Sequence, residues 1–399
     1  MLSQQTIACV KSTIPFLEAH GSALTAHFYQ RLFTNYPDLQ HVFNRSNQAS
    51  GRQQQALFNA IAAYAHYLDD LPALSSAVER IAQKHSSVLV KPEHYEVVGQ
   101  ELIGTLGDLG GDLITPDIVQ AWSLAYQFLA NIFIQREQAI YHQQASDLGG
   151  WKGFRPFVIS DKHIESELIL SFTLTPQDGC PVADFHPGQY IGVQLRVEGQ
   201  DYDAIRQYSL SDASNGEYYR ISVKCEQDGE VSSFLHQLPI GSLVNVTPPA
   251  GDFYLDLPLS SPVVLLSAGV GQTPLLSMLN SALKQPNDHD IYYLHACLNG
   301  QHHAFAEHLK AQRVAHPNLQ SWVWYESPLE SDLISEDYDQ SGLMVLAHLG
   351  QDLPFKTAHF YCCGPTGFMS EMYRQLRALN VDESRIHYEH FGPNIDANT

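Results

Sequence analysis

The sequence has no long apolar run, no paired-cysteine motif and little positive charge, and each lack removes a class of protein. None of its apolar stretches approaches the ~20 residues that span a bilayer, so membrane insertion is not expected. Its six cysteines are scattered at positions 9, 180, 225, 297, 362 and 363, with no CxxC and no zinc spacing. The adjacent Cys362 and Cys363 make poor disulfide partners, and reduced, mostly buried thiols in a cytoplasmic protein are expected. Lysine plus arginine number 22 against 43 aspartates plus glutamates, a formal net charge of −21. Such a surface repels polyphosphates and anionic membranes, so nucleic acid is not an expected partner. Net charge leaves room for a local basic pocket that takes a phosphate-bearing cofactor. The opening MLSQQTIACVK has no charged segment followed by an apolar core, so no signal peptide is expected.

What is present changes texture along the chain. A length of 399 residues corresponds to two to four domains at ~100–200 residues each. Residues 1–142 carry apolar stripes of period 3.6: Leu24, Phe28, Leu32; Leu57, Ile61, Tyr64, Leu68; Val78, Ile81, Ala82, Val88, Leu89; and Trp122, Tyr126, Leu129, Phe133. Breaks at Pro37, Pro72, Pro92 and Pro116 suit helix starts. This part is predicted to be an all-α domain over 1–142. Residues 147–151 read as a linker. Period-two runs at 167–174, 190–195 and 218–224, separated by turns such as Asn215-Gly216, then predict an antiparallel β-barrel over 151–257. A short helix at 234–238 with Ser232 as its cap is expected within it. From 258 to 399, continuous apolar runs at 263–266, 291–296, 322–325 and 360–362 alternate with helical stretches. That pattern predicts an α/β domain on a parallel sheet.

In the helical part, His85 extends the Val78–Leu89 face and points inward. An inward His is often only a core residue, but here it has polar company. Gln53 lies one turn before Leu57 on a second helix. Tyr29 sits among Phe28, Leu32 and Phe33, and Phe43 precedes the Gln53 helix. Tyr95 lies on the helix after His85, and Glu137 continues the Tyr126–Phe133 stripe. These residues, with the stretches LTAHFY at 24–29, ALFNAIAAY at 56–64, LPAL at 71–74 and IAQKHS at 81–86, resemble the globin domain of bacterial flavohaemoglobins. The resemblance implies haem b iron bound by His85, with Tyr29 as the distal hydroxyl that donates to bound O₂. It implies that Gln53 and Leu57 line the distal side, that Phe43 packs on the haem face and that Lys84 affects the redox potential. It implies that Tyr95 and Glu137 hydrogen-bond the proximal His85, which makes the imidazole more electron-donating.

The rest of the chain carries the matching reductase signals. His186-Pro187-Gly188-Gln189-Tyr190 is followed sixteen residues later by Arg206-Gln207-Tyr208-Ser209. The pair resembles the FAD-binding barrel of the ferredoxin-reductase superfamily. By that resemblance Tyr208 stacks on the isoalloxazine, Ser209 hydrogen-bonds near its reactive nitrogen, Arg206 meets the pyrophosphate and Tyr190 contacts the adenine or ribitol side. Gly269-Val270-Gly271-Gln272-Thr273-Pro274 follows an apolar run and opens a helix, the setting in which small residues admit a pyrophosphate to a helix N-terminus. The resemblance sets Cys363 beside the nicotinamide. It matches the tail Glu389, His390, Phe391, Gly392 and Pro393 to a closing FAD contact, where Phe391 covers the isoalloxazine and Glu389 tunes the potential. Many relatives carry Cys at the position of His390. The residue that would read a 2′-phosphate is not evident, so the implied hydride donor is NAD(P)H. The family activity implied is nitric oxide dioxygenation, with NO and O₂ as substrates and no obligatory protein partner. An O₂ or NO sensor or carrier, and a flavin reductase of other acceptors, are the alternatives.

Overall fold

Helical stripes recur every three or four residues because that spacing lines one face of a helix. Along Ile14–Asn35 the buried positions include Leu17, Gly21, Leu24, Phe28 and Leu32, one continuous inward stripe. The computed structural model describes residues 2–41, 43, 52–286 and 289–391. The chain forms two units, one built mainly on Met1–Ser146 and one on Asp147–Val197 with Arg206–Phe391.

Helices of the first unit are α1 (Gln4–Lys11), α2 (Ile14–Asn35), α3 (Arg52–His66), α4 (Ser75–Ser86), α5 (Pro92–Gly110) and α6 (Pro116–Ser146). Pro92 and Pro116 open their helices, where the missing N–H costs no intrahelical bond. Ser3 caps α1 by accepting the Thr6 N–H at 3.1 Å. Trp122 fills the core at 1% exposure, and its indole N–H donates to Thr13 Oγ1 at 3.1 Å. Truncating such a buried aromatic costs about 3–5 kcal/mol.

The second unit begins with β1 (Arg155–Ile164), β2 (Ile169–Pro176), β3 (Tyr190–Leu195), β4 (Ala204–Ser209), β5 (Tyr219–Lys224) and β6 (Leu243–Val246). Their order in the sheet is β4-β3-β6-β1-β2-β5. The two edge strands meet through a Leu210–Ile221 bridge and the Ser211 N–H to Arg220 carbonyl bond at 2.9 Å. That contact closes the sheet into the expected barrel. The helix in this region, α7, spans Glu230–Gln237 rather than 234–238 and is capped by Gly229. Ser232 lies inside its first turn and donates to the Gly229 carbonyl at 3.0 Å, a local bond that lets the helix begin earlier.

The parallel sheet contains β7 (Val263–Ala268), β8 (Ile291–Cys297), β9 (Leu319–Tyr325), β10 (Gln340–Ser341), β11 (His359–Cys363) and β12 (Ile386–Glu389). Helices α8 (Gln272–Leu283), α9 (Ala306–Ala315) and α10 (Thr366–Ala378) accompany it. The order β10-β9-β8-β7-β11-β12 puts β8 and β11 on opposite sides of β7. Such a reversal opens a crevice at the carboxyl ends of the strands, where α/β sheets bind ligands. Every residue of β7 is buried, because both faces of the sheet are covered.

Candidate functional site

His85 is the penultimate residue of α4, and two other helices supply its partners. Its Nδ1 lies 2.7 Å from Glu137 Oε1 on α6 and 2.9 Å from the Tyr95 hydroxyl on α5. The Tyr95 hydroxyl in turn donates to the same carboxylate oxygen. Glu137 is 2% exposed, so it is part of the core and not a solvated helix end. Burial, the Glu137 charge and the hydrogen bond to Glu137 all push the Tyr95 phenol up, which keeps its proton in place. A buried carboxylate that accepts from Nδ1 fixes the imidazole tautomer and leaves the Nε2 lone pair available as a ligand. Arg136, next to Glu137, grips Glu79 in a forked pair at 2.5 and 2.8 Å, which ties α6 to α4. Tyr126 donates to the Tyr95 carbonyl at 2.8 Å and Tyr141 to the Val90 carbonyl at 2.9 Å, so the frame around His85 is tied on each side. Lys84 is half-buried beside it.

Tyr29, on α2, is buried at 6% exposure. Its ring stacks on Phe33 and meets Phe43 edge-on, each with centroids 5.8 Å apart. Burial pushes its phenol well above the usual range, and a hydrogen bond from Gln53 opposes the rise. A bond that favours the phenolate is one in which Gln53 donates and the tyrosine oxygen accepts. Gln53 Oε1 is buried with no partner among the described residues. The pair therefore presents a protonated phenol and, among the described residues, an amide oxygen without a partner. Leu57, one turn beyond Gln53 on α3, is half-buried and packs on the same core. Among the described residues no group of three or more His, Cys, Asp or Glu could hold a bare metal ion.

In the barrel, Arg206, Gln207, Tyr208 and Ser209 follow one another along β4. Burial lowers the Arg206 guanidinium, with Tyr208 and Glu230 acting against it. Burial pushes the Tyr208 phenol up to about 12. Ser209 is buried and Gln207 exposed. Tyr190 pairs with Ala250 through reciprocal backbone bonds of 2.9 Å. Glu389 is buried at the end of β12, His390 meets the Tyr388 ring edge-on, and Phe391 is 46% exposed. Gly392 and Pro393 lie outside the described residues.

A cleft of about 410 Å³ lies along the carboxyl ends of the parallel strands. Gly269 and Val270 line it, with Lys224 and His302 as basic groups and Glu326 and Glu371 as acidic ones. Gly269 adopts φ +53° and a Cβ there would meet open space, so its backbone faces the cleft. Gly271 does a different job: a Cβ there would stand 2.2 Å from the Cys363 carbonyl oxygen. Only glycine lets α8 start this close to the end of β11. Gln272, Thr273 and Pro274 are buried and turn inward. Cys363 is fully buried, next to Glu389 in the β11–β12 register. Burial and the Glu389 charge push its thiol well up.

Sequence reasoning did not single out Lys224, His302 or Glu326. For Lys224 and Glu326 the signal was positional, since they stand at or just beyond the end of a β run, while His302 lies in the turn that follows β8. Also unforeseen is a buried chain in which His295 Nδ1 lies 2.8 Å from Ser267 Oγ, with its ring stacked on His303. His303 Nδ1 in turn lies 2.9 Å from the Tyr325 hydroxyl.

Comparison with known proteins agrees with this layout. The globin family model matches residues 26–133, the oxidoreductase FAD-binding domain 156–254 and the oxidoreductase NAD-binding domain 265–374. A flavohemoprotein of Vibrio cholerae is 49% identical over 399 residues, 98% of each chain. A flavohemoglobin of Malassezia yamatoensis, solved with bound FAD and heme, superposes with a TM-score of 0.88 at 26% identity, over 98% of this chain and 100% of that one. The FAD/NAD-binding domain of the nitric oxide dioxygenase of Vibrio cholerae is 46% identical, with a TM-score of 0.55, and covers 60% of this chain and 99% of its own. With a globin, a flavin-type barrel and a nicotinamide-type sheet in one polypeptide, and near-half identity over almost its full length, this chain belongs to the flavohemoproteins.

Proposed function

We propose that the chain is a nitric oxide dioxygenase that converts NO and O₂ to nitrate with electrons from NAD(P)H. When bound, the NAD(P)H supplies hydride, the FAD divides it into single electrons and the haem b iron is where O₂ and NO react. The observation that carries the reading is the buried Glu137 carboxylate on His85 Nδ1, 2.7 Å away. Simple O₂ storage has no use for a buried anion behind the iron ligand, whereas such an anion makes the imidazole a stronger donor and favours O₂ activation.

The chain's residues take the following parts. His85 binds iron through Nε2, with its tautomer held by Glu137 and Tyr95. Tyr29 keeps its proton because burial raises its phenol, so it would donate a hydrogen bond to negative charge on a ligand held in this pocket. Gln53 orients Tyr29, while Leu57 and Phe43 keep the pocket apolar and Lys84 sits at its margin. Arg206 neutralises the flavin pyrophosphate, Tyr208 and Ser209 border the ring, and Tyr190 holds the adenine or ribitol side. Gln207 and the closing run Glu389, His390, Phe391, Gly392 and Pro393 complete that site. Gly269, Val270 and Gly271 admit the nicotinamide dinucleotide's phosphates to the start of α8, with Gln272, Thr273 and Pro274 shaping the loop. Cys363 closes the nicotinamide end. The domain boundaries on this reading are 1–142, 151–257 and 258–399. The same reading has a cytoplasmic enzyme acting on small molecules, with neither nucleic acid nor an obligatory protein partner. Among the described residues no helix is long and apolar enough to cross a membrane.

The test is NO consumption by purified protein replete in haem and FAD, supplied with NADH or NADPH and O₂. Fast loss of NO with matching nitrate is expected. A replete sample that consumes NO no faster than a His85→Ala variant would overturn the proposal.

A further inference from the structure

The flavin motif and the phosphate-loop helix are joined by side chains that neither motif contains. Asp212 stands three residues beyond Ser209, which ends the strand that carries Arg206 and Tyr208. Its backbone carbonyl accepts the Ser277 hydroxyl at 2.8 Å. Its carboxylate accepts the Asn280 amide N–H at 2.9 Å. Asn280 Oδ1 in turn accepts from His308 Nε2 at 2.8 Å, which ties α9 into the same chain of bonds. Arg220 on β5 lies 3.5 Å from the other Asp212 oxygen, and its guanidinium stands over the Phe305 ring at 5.8 Å. Ser277 and Asn280 are 0% and 8% exposed. Both sit on α8, whose first residue follows Gly271 directly.

The direction of these bonds is fixed by chemistry. A carboxylate only accepts, so Asn280 must give its N–H to Asp212 and offer its oxygen to His308. A buried amide against an acceptor-only carboxylate holds one orientation, because rotating it would set its oxygen against the Asp212 carboxylate and leave that bond unmade at about 1–3 kcal/mol. The link is therefore directional, and it connects the strand that ends in Ser209 to the helix that begins at Gly271.

We propose that Asp212 and Asn280 are positioning residues for hydride transfer. They set the helix that holds the dinucleotide phosphates at a fixed distance from the flavin strand. This rests on the reading that flavin binds at Arg206–Ser209 and the dinucleotide at Gly269–Gly271. Hydride transfer needs the reacting atoms about 3–3.5 Å apart, and a 1 Å error costs about a hundredfold. Neither residue is proposed to touch a cofactor, so their loss acts on the rate of the step more than on binding.

The pairing permits an exchange test in the full-length protein. Asn280→Asp sets two carboxylates against each other, whereas Asp212→Asn together with Asn280→Asp restores one donor and one acceptor. Two measurements are made: anaerobic stopped-flow reduction of the flavin by NADH, and hydrogen–deuterium exchange of residues 272–283 without nucleotide. Asn280→Asp is expected to slow flavin reduction ten- to a hundredfold, with the NADH concentration for half-maximal rate changed less than threefold. Exchange in α8 should rise. The double variant should recover most of both. Ser277→Ala, which removes only the bond to the Asp212 carbonyl, gives the same test where Asn280→Asp fails to accumulate, with a three- to tenfold slowing expected. Unchanged reduction rates in the variants, or faster exchange at an unchanged rate, would overturn the proposal. Failure of NADH to reduce the flavin of the unmutated protein would instead strike the underlying reading of the two sites.

Discussion

Replacing Glu137 by Gln probes the proximal side with the smallest change of shape. In the native chain the carboxylate oxygen accepts from both His85 Nδ1, at 2.7 Å, and the Tyr95 hydroxyl. An amide oxygen can still accept, but it carries no charge, so both bonds fall from the charge-assisted to the neutral class. A charge-assisted bond is worth about 1.5–3 kcal/mol. If half of that favours ferric over ferrous iron, its loss shifts the potential by roughly 30–65 mV, since ~1.4 kcal/mol corresponds to about 59 mV for one electron. The sign follows from donation: a less basic imidazole favours ferrous iron, so the midpoint potential rises. The assay is spectroelectrochemistry of the Soret band, with haem content measured on the same sample. Substitutions behind a metal ligand typically cost 10–100-fold in affinity or activity, so faster loss of haem to an acceptor protein should accompany the shift. A haem-replete Glu137→Gln protein with an unchanged or lowered potential would refute the reasoning.

Other perturbations follow from the same geometry. Arg206→Ala should weaken FAD retention about 10–150-fold, the value of a charge-assisted bond of about 1.5–3 kcal/mol, as measured by flavin fluorescence during dialysis. Gly271→Ala forces a Cβ against the Cys363 carbonyl at 2.2 Å. It should abolish NADH-dependent flavin reduction while the haem still responds to dithionite. His303 is held down to about 4, by burial first and then by Lys310. A depressed histidine favours the fold when neutral, so its contribution is full above about pH 6.5 and is lost as pH falls toward 4, about 3 kcal/mol in all. The midpoint of denaturant melts should fall as pH drops across that range for the native chain and fall less for His303→Gln.

Much of the fold was legible because it rests on periodicity. The stripe Leu24, Phe28, Leu32 and the uninterrupted apolar run of β7 each admit one secondary structure. Strands β1, β6 and β12 were harder. β1 mixes Asp161, Lys162 and His163 into an exposed second half, and β6 and β12 are four residues each, too short for alternation to register. The His85 environment was partly legible, since Tyr95 and Glu137 fell on inward faces of their own helices. That His85 and Tyr95 share one Glu137 oxygen was not, because the crossing of α4, α5 and α6 depends on contacts between separate helices, such as Glu79 with Arg136, that no single stretch of sequence displays. The Asp212–Asn280 link was invisible for the same reason: two ordinary polar residues 68 positions apart carry no local signal until the folds meet.

The central claim is that one polypeptide passes electrons from a nicotinamide through a flavin to an iron held by His85. It is tested most directly by the absorption spectrum of the replete protein under anaerobic conditions, before and after addition of NADH. Bleaching of the flavin followed by a shift of the Soret band to its ferrous position is predicted. A flavin that bleaches beside an unmoved Soret band, or a globin that takes up no haem at all, would contradict it.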